Sequence, residues 1–485
     1  MRQSPADEAV LRAALDASIA WLGGLEERPA GARSRVVPEA SSLPDKGVGA
    51  VSALADLVRR AETRAAGSAG PRYFHYVIGG ATPAALAADW FASALDQVAS
   101  SSSGSPLAID LEEIATAWLI ELFHLGAPDS WTGLFTTGAT MANFVGLGAA
   151  RQWWGEALGV DVGTDGLSGL PRPAILTGGY VHASVLKSLG MLGLGRASVE
   201  RFTRDNDGAL DVAALAQRLT DVSSEACQQP GQGAGLRGPA IVIATAGEVN
   251  AGSFDPIEEI ADLCEEHGAW LHVDGAFGLF ARVSDETRAL AAGVERANSV
   301  AVDVHKWLNV PYDCGVAFVR QRALLAKTFR MVADYLPKSR GSEGVRRVPG
   351  SLGPESSRRA RALPVFATLL AYGREGVRDI VEGHLALARH LASLVRAEPD
   401  LELLADPCLN VVTFRAAPLG VRKRDLDALN EAVAVRVAER AEVVVGTTRY
   451  RGRVAFRPAI ANWRTREADV EVLVDEIKRA LGSMA

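Results

Sequence analysis

Between Thr132 and Val319 short apolar runs recur, each closed by small or polar residues and most followed by a stretch with helical spacing. Leu134-Phe135 leads into a turn at Gly138 and a helical pattern through Arg151. Ala174-Ile175-Leu176-Thr177, Ile241-Val242-Ile243-Ala244 and Trp270-Leu271-His272-Val273-Asp274 follow. Runs this apolar have no wet face, so they belong in a sheet covered on both sides. Helices between the strands make that sheet mostly parallel. The expected fold is α/β, with a large domain over 82–370. Ligands of such sheets collect at the carboxyl ends of the strands. The polar residues that close each run are therefore the candidates for chemistry.

The flanks read differently. Residues 371–485 alternate a long helix, Val411-Val412-Thr413-Phe414, a second helix, Val443-Val444-Val445, Arg453-Val454-Ala455-Phe456-Arg457 and a closing helix. That pattern predicts a small C-terminal α+β domain. Residues 1–81 are expected to form a helical segment in which Leu11, Leu15, Ile19 and Leu22 share one face and Val51, Leu54, Leu57 and Val58 another. Such stripes need a covering surface, in another domain or, as expected here, in a partner subunit.

With 485 residues, 48% hydrophobic and 22% charged, this is an ordinary globular composition. A net charge of −7 and the lack of any long basic run argue against a nucleic-acid partner. Cys227, Cys264, Cys314 and Cys408 have no metal-type spacing, so neither zinc nor disulfides are expected. No apolar run reaches membrane-spanning length, and Met1 to Leu22 is too acidic for a signal peptide, so the expected location is cytoplasmic.

Four features carry chemistry. Ser299-Val300-Ala301-Val302 ends in Asp303-Val304-His305-Lys306-Trp307, and Val316-Ala317-Phe318-Val319 returns as a second strand. Lys306 thus sits in a tight excursion, either as a surface lysine or as a partly desolvated amine able to form a Schiff base. Thr136-Thr137-Gly138-Ala139-Thr140, between a strand and a helix, is an ordinary capped turn or a phosphate site. Asp274 closes a strand before Gly275-Ala276, and either caps the next loop or pairs with a pyridinium nitrogen. His182 lies between a strand and a helix, as a structural histidine or as a group that stacks on a flat ring and passes protons.

Together these segments resemble the group II pyridoxal-phosphate-dependent amino-acid decarboxylases, from about Pro71 to the C-terminus. The likeness is densest at Thr137–Asn143, His182-Ala183-Ser184, His272–Ala276, Asp303–Trp307 and Cys314-Gly315. It implies the aspartate-aminotransferase fold type (fold type I), pyridoxal 5'-phosphate (PLP) as cofactor and a homodimer acting on a small-molecule amino acid. It makes Lys306 the residue that carries the cofactor, Asp274 the partner of its ring nitrogen and His182 the group stacked on the ring. Ala276 packs on the other face, Gly138, Ala139 and Thr140 hold the phosphate, and His305 borders the site. Tyr335 falls where the family has a proton-donating tyrosine, and Ser356-Ser357-Arg358-Arg359 are expected to reach the neighbouring subunit. The expected reaction is decarboxylation of an L-amino acid to amine and CO2, with an aromatic substrate first. The alternatives are an aldehyde-forming oxidative deaminase, a lyase, a desulfinase, or a decarboxylase of acidic or small amino acids. Asp303 stands where many relatives have asparagine. Repulsion from a phosphate predicts that its carboxylate turns away.

Overall fold

The computed structural model describes residues 5–32, 42–204, 208–226, 238–331 and 348–484. Helices α1 (Pro5–Gly23) and α2 (Ala50–Arg64) come first, followed by α3 (Pro83–Leu95) and α4 (Pro106–Leu122). Both α3 and α4 begin with proline in the first turn, where no N–H is required. From Thr132 the chain alternates through β1 (Thr132–Thr136), α5 (Ala139–Ala157), α6 (Val162–Asp165), β2 (Ile175–Thr177), α7 (Ala183–Met191), β3 (Val199–Arg201) and α8 (Val212–Ala226). It continues through β4 (Ile241–Thr245), α9 (Ile257–Glu266), β5 (Trp270–Asp274), β6 (Ser299–Val302), α10 (Val304–Trp307), β7 (Gly315–Val319) and α11 (Arg322–Thr328). The remaining elements are α12 (Ala362–Ala397), β8 (Leu401–Ala405), β9 (Thr413–Ala416), α13 (Leu426–Arg440), β10 (Thr447–Tyr450), β11 (Arg453–Phe456) and α14 (Glu467–Gly482).

Two compact units result, one from Ala81–Ala386 with Pro407–Val411, the other from Met1–Gly80, Leu387–Asp406 and Val412–Ala485. The larger unit is built on a seven-stranded sheet of order β1-β7-β6-β5-β4-β2-β3. Strands β6, β5, β4, β2 and β3 run parallel, and β7 is antiparallel to both β6 and β1. Every residue of β4, β5, β6 and β7 is buried. Side chains alternate between faces, so this sheet is covered on both. The expected α/β core is what forms.

In the smaller unit a four-stranded antiparallel sheet of order β10-β11-β9-β8 packs Phe414, Phe456, Val433, Leu473 and Ile477 into one core. The run Val443-Val444-Val445 does not become a strand. Val444 alone pairs, accepting from Phe74 N at 2.7 Å and donating to Arg72 O at 3.1 Å. Asp255, which has the sequence of a helix cap, ties loops together instead: its buried carboxylate accepts from Leu210 N and Thr245 N, each at 2.8 Å.

Candidate active site

Lys306 lies on the single turn α10 that follows β6. The turn is pinned from within: Trp307 is fully buried and donates its indole N–H to His384 Nδ1 at 2.9 Å. With its neighbours locked, Lys306 remains partly open to solvent, its Nζ 2.9 Å from Asp303 Oδ2 and 5.9 Å from the Phe277 ring centre.

Asp303 does not turn away. Its other carboxylate oxygen accepts the N–H of Ala139 at the first turn of α5. A helix start favours negative charge, and this side chain supplies it while orienting the lysine. His305 lies beside it, Nε2 3.6 Å from Asp303 Oδ1, with the ring tilted against Tyr312 at 4.2 Å. Cys314 N–H donates to His305 Nδ1 at 3.2 Å, so the ring's proton belongs on Nε2. Burial pushes this imidazole below its usual pKa, although Asp303 pulls the other way.

Gly138 starts α5 with φ of 149°, and a Cβ there would lie 3.1 Å from His305 and 3.2 Å from Asp303. Only glycine leaves that space open. Ala139 and Thr140 continue the turn, and the Thr140 carbonyl accepts from Ser188 Oγ at 2.9 Å.

Asp274 ends β5, buried. Its Oδ1 accepts from Ala276 N and its Oδ2 from Asn143 Nδ2, both at 3.2 Å. Burial raises its pKa, opposed by the charges of His182 and Lys306 and by those two hydrogen bonds. His182 caps α7, its Nδ1 accepting from Ser184 N at 3.2 Å. Ser184 Oγ also accepts from Asn143 Nδ2 at 3.4 Å, which links the histidine to the Asp274 side. Lys306, His305, Asp303, Gly138 and Ala139 thus gather at one end of the sheet, with Asp274, Ala276 and His182 within electrostatic reach.

Tyr335 lies outside the described residues. Arg358 is buried within its own chain, donating to Ala99 O at 2.7 Å, Glu112 Oε1 at 2.8 Å and Phe135 O at 2.9 Å. Its guanidinium is committed to those partners within its own chain. Asn143, His272 and Ser299 carried no role in the sequence, yet they pack directly behind Asp274. The available signal was the two-residue strand period that puts His272 and Asp274 on the same face of β5. Among the described residues no cluster of His, Cys, Asp and Glu is arranged to hold a metal.

PLP needs an amine for its aldehyde, a carboxylate for its ring nitrogen and an open helix start for its phosphate. The Lys306 amine and the buried Asp274 carboxylate fit the first two needs, whereas the Ala139 N–H at the start of α5 is taken by Asp303, which a phosphate would have to displace.

Comparison with known proteins agrees. The pyridoxal-dependent decarboxylase conserved domain matches residues 42–417. The L-2,4-diaminobutyrate decarboxylase of Rhizobium meliloti is 32% identical over 448 residues, covering 91% of this chain and 84% of that one. The aromatic-L-amino-acid decarboxylase of Bacillus atrophaeus is 29% identical over 409 residues, covering 84% and 80%. In fold, the crystal structure of Oryza sativa TDC with PLP and tryptamine superposes with a TM-score of 0.89 at 24% identity, covering 100% of this chain and 99% of that one. A domain match over most of the length, with relatives aligned along more than four fifths of it, decides the matter: the chain belongs to the pyridoxal-dependent decarboxylase family and is a PLP-dependent carboxy-lyase acting on amino acids.

Proposed function

We propose that this enzyme removes the α-carboxylate of an L-amino acid and releases the amine and CO2, with an aromatic amino acid as the first candidate substrate. The supporting observation is the buried Asp274 carboxylate at the end of β5, which feels the charges of both Lys306 and His182. Bound there, PLP supplies a conjugated ring that takes up the electron pair left when the Cα–carboxylate bond breaks.

The chain's own residues do the rest. The Lys306 amine attaches the cofactor and is held in place by Asp303 Oδ2 at 2.9 Å. Asp274, an acceptor of two N–H groups, keeps a proton on the ring nitrogen and so keeps the ring electron-poor. On the family resemblance, His182 and Ala276 would hold the ring from its two sides. On the same resemblance Gly138, Ala139 and Thr140 would hold the phosphate at the start of α5, with Asp303 releasing the Ala139 N–H to it. Tyr335 is assigned delivery of a proton to Cα, on the family resemblance of its sequence position. We further propose a homodimer, in which the exposed faces of α1 and α2 find cover. A cytoplasmic location is in keeping with the free buried thiols Cys264 and Cys314.

A CO2-release screen over aromatic, acidic and diamino substrates tests the reading. Equal amounts of amine and CO2 from an aromatic amino acid are expected. The 32% identity to a diaminobutyrate decarboxylase makes 2,4-diaminobutyrate the second substrate to try. Aldehyde, ammonia and peroxide as products would replace the proposed outcome with oxidative deamination.

A further inference from the structure

Behind Asp274 four side chains join in a line. Trp270 Nε1 lies 3.0 Å from Ser299 Oγ, which lies 2.8 Å from His272 Nδ1. His272 Nε2 lies 2.8 Å from Asn143 Oδ1, and Asn143 Nδ2 lies 3.2 Å from Asp274 Oδ2. The indole can only donate. Ser299 therefore accepts from Trp270 and turns its own hydroxyl proton to His272 Nδ1. A neutral imidazole that accepts at Nδ1 carries its proton on Nε2 and donates it to the Asn143 carbonyl. That fixes the Asn143 amide, whose NH2 then points at Asp274.

The packing is built around this line. His272 and Ser299 are paired across β5 and β6, and both are fully buried. Gly146, one turn along α5 from Asn143, leaves room for the ring, since a Cβ there would lie 2.9 Å from the His272 imidazole. Burial also pushes the His272 pKa down to about 3, so the ring stays neutral.

We propose that Asn143, His272 and Ser299 form a one-way hydrogen-bond relay that holds the Asp274 carboxylate as a pure acceptor toward the cofactor ring, making them positioning residues for decarboxylation. The proposal rests on the reading of Asp274 as the partner of the ring nitrogen. Every link donates in the same direction, so none offers Asp274 an acceptor for a proton of its own. Within the relay no group takes a proton from Asp274, whose carboxylate is therefore left as an acceptor.

The holoenzyme labelled with 15N-histidine should show His272 as a neutral ring protonated on Nε2, unchanged from about pH 6 to about pH 9. Ser299→Ala removes the hydroxyl that donates to His272 Nδ1 and accepts from Trp270, so the Nδ1 signal should move away from its hydrogen-bonded position. Asn143→Leu and His272→Leu should each lower kcat roughly tenfold to a hundredfold while KM moves less than about threefold, with a changed visible absorption of the bound cofactor. His272→Gln, whose amide can accept from Ser299 and donate to Asn143, should recover most of that loss. If either leucine variant fails to fold, Ser299→Ala carries the same kinetic and spectroscopic expectation. An imidazolium, or a proton on Nδ1, overturns the relay. So does a wild-type kcat and spectrum in these variants while Asp274→Asn is inactive. Full activity in Asp274→Asn would instead remove the reading of Asp274, and the proposal with it.

Discussion

Which nitrogen holds the cofactor is decided by what surrounds it. Lys327 is tied to Glu156 at 2.7 Å on the surface, whereas Lys306 stands between Asp303 and Phe277 at the sheet's end. Borohydride reduction and peptide mapping should place the pyridoxyl adduct on Lys306, and an adduct on Lys187 or Lys327 would refute the assignment. Lys306→Ala should fold and lose CO2 release by roughly 10²–10⁴-fold or more. Tyr335→Phe should keep cofactor binding and CO2 release but shift product from amine to aldehyde, because the variant lacks the hydroxyl that would deliver a proton to Cα and molecular oxygen can react there instead. Amine production at the wild-type rate would assign that proton to His182 or water. The places of Lys306 and Asp274 were legible because one follows and the other closes an apolar run, and a strand end is a recognisable place. His272 was not. Its role depends on Ser299 in β6 and Asn143 in α5, which no spacing in the sequence brings together.

Strands in the large unit could be read at the level of elements because full burial leaves an unbroken apolar run, as at Ile241–Thr245. The single turn at Lys306 also followed from the polar run between two such strands. Val443-Val444-Val445 looked the same but pairs only with the short segment Arg72–Phe74, and two backbone bonds do not sustain a strand. Strand identity therefore depends on a partner as much as on composition. The turn between β6 and β7 depends on close contact with the start of α5. At Gly315 a Cβ would lie 2.6 Å from Gly138 Cα and 2.7 Å from Gly138 C, backbone atoms that cannot step aside. Gly315→Ala should cost about 1–3 kcal/mol of stability and loosen the start of α5. Thermal melts and cofactor titration should show a lower Tm and a weaker Kd for PLP, with the adduct still on Lys306. An unchanged Kd would mean that the helix start does not hold the phosphate.

The whole molecule carries two further consequences. Leu11 is 64% exposed, Ile19 57%, Val51 55% and Leu57 63%, apolar faces that the proposed second copy would cover. Light scattering should find a dimer, and Leu11→Asp with Ile19→Asp should shift it toward monomer and reduce activity; a fully active wild-type monomer would contradict the assembly. Stability should also depend on pH, with a sign set by the buried histidines. His272 has a folded pKa near about 3 against an ordinary 6.5, so between those values the unfolded chain binds the extra proton. Its contribution is therefore complete above about pH 6.5 and is lost as pH falls toward about 3. His75, His124 and His305 are pushed down by burial and act in the same direction. Asp274 is pushed up by burial and opposes them: it favours the folded state at low pH, and that benefit is lost as pH rises through its folded pKa. Asp469, also pushed up by burial, opposes them too, whereas the paired Asp427 and Glu476 are pulled down and act with the histidines, whose trend controls the mildly acidic range. Urea melts should show stability falling by a few kcal/mol between about pH 7 and about pH 5. His272→Gln keeps the hydrogen bonds but cannot take up the proton, so its curve should be flatter across that range. Parallel curves for the two proteins would mean that His272 is not held neutral by burial.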